Sequence, residues 1–168
     1  LDIGCGRGKI LGHLSLRLRL KNKPVGIDIE RHSDRDKRIN FKKIDATSYL
    51  KKEKKKFDLI LIKQTIHFLK FGEIKKLISF CKRKLNENGK IIIFTLDTSH
   101  NEIPSFLLMK KSLKKSLVRD KKIIRLICRL YPGSKCRKFS FKVNIKRNIY
   151  IKMIKNRYIS TLLDLSLS

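Results

Sequence analysis

Seven residues near the start of the chain, Asp2-Ile3-Gly4-Cys5-Gly6-Arg7-Gly8, constrain its fold more than any other stretch. Three glycines at alternating positions, straight after an apolar strand end, specify a tight strand-to-helix turn. Without a Cβ the backbone can take strained dihedrals and a ligand can lie against it. The spacing separates ligand classes. A dinucleotide fingerprint, G-x-G-x-x-G, started from Gly4 would need its last glycine at Lys9, so a pyrophosphate loop fits poorly. A phosphate-binding P-loop fits worse, because Gly8-Lys9 is followed by Ile10 where Ser or Thr should hold magnesium.

The following segments recur at the intervals of a nucleoside-binding α/β sheet. Lys23-Pro24-Val25-Gly26-Ile27-Asp28-Ile29-Glu30 reads as a second strand ending in acid, about twenty residues past the glycine loop, where such folds hydrogen-bond a ribose. Asp28 and Glu30 share a strand face; the competing role for Asp28 is to cap a following helix. Phe41-Lys42-Lys43-Ile44-Asp45-Ala46-Thr47 reads as a short third strand delivering an acid and the only alanine of the chain. Asp45 there is either a ligand acid or the N-cap of a helix over residues 47–51. The apolar run at 57–62 suits a strand buried on both faces of a parallel sheet, with Lys63 and Gln64 at its carboxyl end, the rim where ligands bind. His67 just beyond is either a general base or a packing residue. Residues 72–89 show helical spacing of Ile74, Leu77, Ile78, Cys81 and Leu85. Asn86-Glu87-Asn88-Gly89 then reads as a helix stop, and 90–95 as a fifth strand. The expected fold class is α/β, a doubly wound, mostly parallel Rossmann-like sheet whose strands alternate with helices.

Leu1 to Gly8 resembles motif I of the class I S-adenosylmethionine-dependent methyltransferases, D/E-x-G-x-G-x-G, and 57–69 resembles the fourth strand and exit loop of their small-molecule group. Asn88-Gly89 stands where that family has a proline-glycine or glycine pair before its fifth strand. The resemblance covers residues 1–95. It implies an enzyme with S-adenosylmethionine as cofactor. Asp2, Gly4, Cys5, Gly6 and Gly8 would lie at the cofactor, the glycines letting the backbone approach the methionine moiety and Cys5 serving as packing, not as a nucleophile. It implies further that Asp28 binds the ribose, that Ile29 packs beside the adenine, that Asp45 accepts from its exocyclic amine, that Ala46 leaves room for the ring, and that Lys63 contacts cofactor or acceptor. No catalytic residue is singled out. Lys63-Gln64-Thr65-Ile66 lacks the acidic or amide pair with proline and an aromatic found in enzymes that methylate nucleobase amines. A small-molecule acceptor is therefore expected ahead of RNA.

A formal charge of +29 would ordinarily argue for nucleic acid. The abundance of lysine, isoleucine and asparagine offers a compositional cause, and no stripe of aromatics interleaves the basic residues for base stacking. RNA remains the alternative acceptor, and a non-catalytic cofactor-binding scaffold is a third reading. Cys5, Cys81, Cys128 and Cys136 lack zinc-site spacing. No apolar run approaches the ~20 residues of a spanning helix, and with no signal peptide a cytoplasmic location is expected.

Residues 1–168 are expected to form one domain, with 1–95 as cofactor core and 96–168 as acceptor side, and to be a fragment lacking pieces at both ends. Residues 97–104 read as a polar loop, placed like the family loop that lids the substrate, 105–130 as one or two helices, 138–145 as a late strand and 148–167 as a helix. In that last helix Ile149, Met153, Ile154, Arg157 and Tyr158 form a stripe facing core or pocket.

Overall fold

A computed structural model describes residues 1–95, 106–140, 142 and 144–156. The chain divides into two compact units, Leu1–Leu96 and Asp97–Ser168. The first is built on five strands: β1 (Asp2–Ile3), β2 (Val25–Asp28), β3 (Asn40–Lys43), β4 (Phe57–Lys63) and β5 (Leu85–Phe94). Every pairing is parallel and the order is β3-β2-β1-β4-β5. Helices α1 (Lys9–Arg17), α2 (Ala46–Lys52) and α3 (Phe71–Arg83) flank the sheet, so the α/β, Rossmann-like expectation holds.

Ile3, Ile27, Ile60 and Ile62 are buried where β1, β2 and β4 pair, and Ile74, Leu77, Ile78 and Cys81 present the buried stripe of α3. The Glu73 carboxylate accepts from the Lys70 N–H at 2.7 Å to start α3, while Lys82 and Arg83 in its last turn face the negative end of the helix dipole. Asp45 starts α2 in the same way, accepting from the Ser48 N–H at 2.9 Å.

Several expectations need correction. No helix lies between β2 and β3; residues 29–39 cross as an irregular segment, because no apolar residue between Ile29 and Ile39 supplies a stripe to bury. α3 ends at Arg83 and not at the Asn-Glu-Asn-Gly stretch, which instead forms a wide irregularity inside β5. Phe57 pairs with Leu85 and Leu59 with Lys90, so residues 86–89 all stand opposite Asp58. Asn86 Nδ2 donates to Asp58 Oδ1 at 2.6 Å, and a Cβ on Gly89 would meet the Phe57 carbonyl oxygen at 2.8 Å; glycine is what lets the bulge close.

The second unit contains α4 (Leu107–Leu130) and α5 (Arg147–Lys155). Of the stretch expected to give one or two helices, 107–130 form one long helix. None of the described residues within 138–145 is in a strand; the alternation of Phe139 and Ile145 with lysines is present, but a strand exists only with a ladder partner, and Phe139 is 74% exposed. α5 has no buried residue: Ile149 is half exposed, while Met153 and Ile154 are half-buried. The 97–104 loop, Arg157 and Tyr158 lie outside the described residues. Among the described residues, no helix is long and apolar enough to cross a membrane, and no group of ligating side chains forms a metal cluster.

Candidate functional site

The carboxyl ends of β1, β2 and β4 form one rim, and the glycine loop runs along it. Gly4, Gly6 and Gly8 all have left-handed φ, 70°, 53° and 68°, the region a side chain rarely adopts. Their surroundings differ, and the difference separates packing from binding. A Cβ on Gly4 would overlap the Thr65 side chain, and one on Gly8 would overlap Ile39 Cδ1. Beside Gly6 nothing lies within 4 Å of that position. The first and third glycines are required by the protein's own packing. Gly6 turns bare backbone toward open space, the cradle a ligand needs.

The loop is fixed from below and from the side. Gly4 and Cys5 N–H groups both donate to the Ile27 carbonyl, at 2.9 and 3.0 Å. Asp28 at the end of β2 accepts from the Gly6 N–H at 2.7 Å through Oδ2 and from the Glu30 N–H at 3.0 Å through Oδ1. Glu30 itself is exposed. Each carboxylate oxygen of Asp28 keeps further acceptor capacity, so it can hold the loop and still accept from a ligand hydroxyl. Ile29, next in the chain, is 64% exposed at the same rim.

Ile44 N–H donates to the Asp28 carbonyl at 2.9 Å, bringing the end of β3 beside the end of β2 and with it Asp45 and Ala46. The Asp45 carboxyl, engaged by Ser48, is held below the ordinary carboxylate range by that bond. It therefore caps α2, as one of its two sequence readings had it, while remaining solvent-exposed.

Asp2 is the most perturbed acid of the rim. It is buried, its Oδ1 has no hydrogen-bond partner, and burial pushes the carboxyl up to about 6, with the Leu1 amino group and then Lys63 pulling it back. A buried oxygen without a donor costs free energy that a ligand ammonium or hydroxyl can recover. Lys63 is half-buried at the end of β4. Gln64 beside it has φ 54°, one of two non-glycine residues with positive φ among those described, and its N–H is held by the Phe94 carbonyl at 3.0 Å. Strained backbone at a strand's carboxyl end is the kind of feature that clusters at ligand sites.

Cys5 packs inward: a Cβ on Gly26 would sit 2.8 Å from its Sγ, and burial, reinforced by Asp2 and Asp28, pushes the thiol up to about 12. It stays protonated at neutral pH and is no nucleophile. His67, in a 3-10 turn at Ile66–Phe68, stacks at a tilt on Phe68 with ring centres 4.1 Å apart.

Several residues that position this loop were not anticipated from sequence. Thr65 lies over Gly4, its Oγ1 donating to the Lys63 carbonyl at 3.0 Å. The 29–39 segment clamps the loop's far end: Arg7 pairs with Asp34 at 2.9 Å, and the Asp36 N–H donates to the Arg7 carbonyl at 2.9 Å. Asp36, gripped at both oxygens by Arg38, lies where a side chain on Gly12 would go. The only local signal was a glycine inside a helix; the partners lie 24 or more residues away.

Comparison with known proteins agrees with this geometry over the first unit. The pattern of a family described as a methyltransferase domain matches residues 1–93, more than half of the chain. No curated protein matches the chain.

Proposed function

The chain belongs to the methyltransferase-domain family, whose members use S-adenosylmethionine, and on that premise we propose that it methylates a small-molecule acceptor at the rim described above. One observation carries the assignment of the cofactor to this rim: Gly6, open where a Cβ would be and hydrogen-bonded to Asp28 at the end of β2, follows four residues after Asp2 on β1, whose Oδ1 is buried without a hydrogen-bond partner. The residues present fit the cofactor. Gly6 lies open to the methionine portion, with Asp2 in position to accept from its ammonium group. Asp28 accepts from the ribose hydroxyls, Ile29 offers an apolar surface to the adenine, and Asp45 with Ala46 frames the ring edge. Lys63 and Gln64 border the side from which an acceptor approaches.

The bound cofactor supplies a methyl group already activated by its sulfonium. The chain therefore contributes binding, orientation and exclusion of water more than acid–base chemistry. That division agrees with the rim, where burial keeps the Cys5 thiol protonated. The small-molecule reading is supported by the sequence 63–66 after β4, which lacks the motif of nucleobase-amine methylation.

Calorimetric titration with S-adenosylmethionine and its demethylated product tests the cofactor site. Micromolar binding, on the order of −8 kcal/mol, should fall at least tenfold in Asp28→Asn, which keeps an acceptor for the Gly6 N–H. A folded chain that binds neither compound would overturn the assignment of the cofactor to this rim. With the site established, acceptor screening by methyl transfer from labelled cofactor separates small molecules from RNA.

A further inference from the structure

We infer that the outer face of α4 is a docking surface for the phosphate backbone of double-helical RNA. This rests on α4 alone and does not depend on the methyl-transfer reading. Nine of the 24 residues of α4 are lysine or arginine and one is acidic. The 3.6-residue repeat sorts them. Lys111, Lys115, Lys122, Arg125 and Arg129 succeed one another at four-, seven-, three- and four-residue steps, with Val118 filling the gap, and so fall in one narrow stripe. All are exposed. The lone acid, Asp120, lies on the opposite face with the buried Met109 and Ile123. Among the described residues none of the five cations has an acidic partner. The composition of the chain explains many lysines and few acids, but not five cations at the six positions of one stripe about 27 Å long.

The chemistry of the face selects the occupant. It carries no asparagine, glutamine or aromatic residue, so it lacks the amide groups that read adenine edges in a DNA major groove, leaving guanine contacts from Arg125 and Arg129 as its only base readout beside the lysines, and it has no stacking platforms for single strands. What is left is a row of point charges for a regular array of phosphates. Double-helical RNA is recognised mostly by shape and backbone contacts, including phosphates on both sides of its narrow major groove. An anionic membrane would need a continuous free apolar face to insert; in α4 Met109 and Ile123 are buried, and the described exposed apolar residues stand at the two ends of the helix and at Val118 within the basic stripe, not along one side.

The test is fluorescence anisotropy of the full chain with a labelled RNA duplex of arbitrary sequence, titrated between 50 and 200 mM KCl. The quadruple change Lys111→Glu, Lys115→Glu, Lys122→Glu and Arg125→Glu is compared with Lys51→Glu, Lys52→Glu, Lys75→Glu and Lys76→Glu, which alters net charge equally on exposed faces of α2 and α3. The α4 variant should bind at least 30-fold more weakly, with its log–log salt slope reduced by about 3; the control should lose threefold or less. Circular dichroism checks that both stay helical, and glutamine in place of glutamate at the same four α4 positions should give the same direction with a smaller loss. Equal losses in both glutamate variants would reduce the effect to net charge and overturn the proposal. So would equal or tighter binding of a DNA duplex or a single strand, or binding to phosphatidylserine vesicles without binding to RNA.

Discussion

The glycine-loop rim and α4 respond to the same basic composition in opposite ways. At the rim, charge is held in place by specific partners: Arg7 by Asp34, Arg38 by Asp36, the Asp28 carboxylate by two backbone N–H groups. On α4 the outward cations have no acidic partner among the described residues. Specific pairing fixes geometry, which a bound small molecule needs; an unpartnered row gives field without fixed geometry, which suits a polymer of repeating phosphates. Packing differs as well: the first unit buries whole side chains such as Ile60 and Ile62, α4 buries only Met109 and Ile123 among its described residues, and α5 buries none.

The sharpest way to break this contrast is to disturb the packed side. Gly4→Ala puts a Cβ into Thr65 on a left-handed backbone, and Ile62→Ala opens a cavity in a fully buried strand; each should cost about 3 kcal/mol by urea denaturation. An unaffected midpoint for either would mean that the rim is looser than its geometry. Asp2→Asn should act in the other direction. The folded Asp2 carboxyl sits at about 6, above its ordinary 3.8. Its contribution to stability is therefore complete below about pH 4 and lost as pH rises through 6. The substituted chain without cofactor should be more stable by about 3 kcal/mol at pH 7, with almost no gain at pH 3.5, while binding S-adenosylmethionine more weakly. A pH-independent effect would show that Asp2 is not desolvated.

Gly6→Ala separates cradle from packing. With open space around it, the cost should be only the left-handed strain, about 1 kcal/mol in the thermal midpoint, yet cofactor binding should weaken at least tenfold by calorimetry. Loss of stability as large as for Gly4→Ala would erase the distinction between the two glycines. The smallest effect is expected on the second unit: Ile149→Ser, at a half-exposed site of α5, should move stability by less than about 0.5 kcal/mol, and a larger change would reveal packing of α5 that its exposure does not suggest.

Much of the first unit could be read from the sequence because its determinants are local. The apolar run of β4, the three- and four-residue spacing of α3 and the glycine triplet each act within a few residues. Other features resisted for identifiable reasons. Residues 86–89 contain the asparagine and glycine of a helix stop, and only their pairing opposite Asp58 makes them a bulge. The alternation at 138–145 resembles a strand, but alternation cannot supply a ladder partner. The absent helix between β2 and β3 was legible in principle, since residues 30–38 hold no apolar side chain; the regular alternation of the fold outweighed that signal.

The sequence by itself determined the parallel α/β order, the left-handed glycine loop and the acid at the end of β2, because sterics and hydrophobic periodicity operate over short distances along the chain. Only the tertiary structure decided which glycine faces open space, which acid is left buried without a donor, and how Arg7, Asp34 and Asp36 clamp the loop. Those properties arise where segments distant in sequence meet, and burial and partner choice are set by that approach.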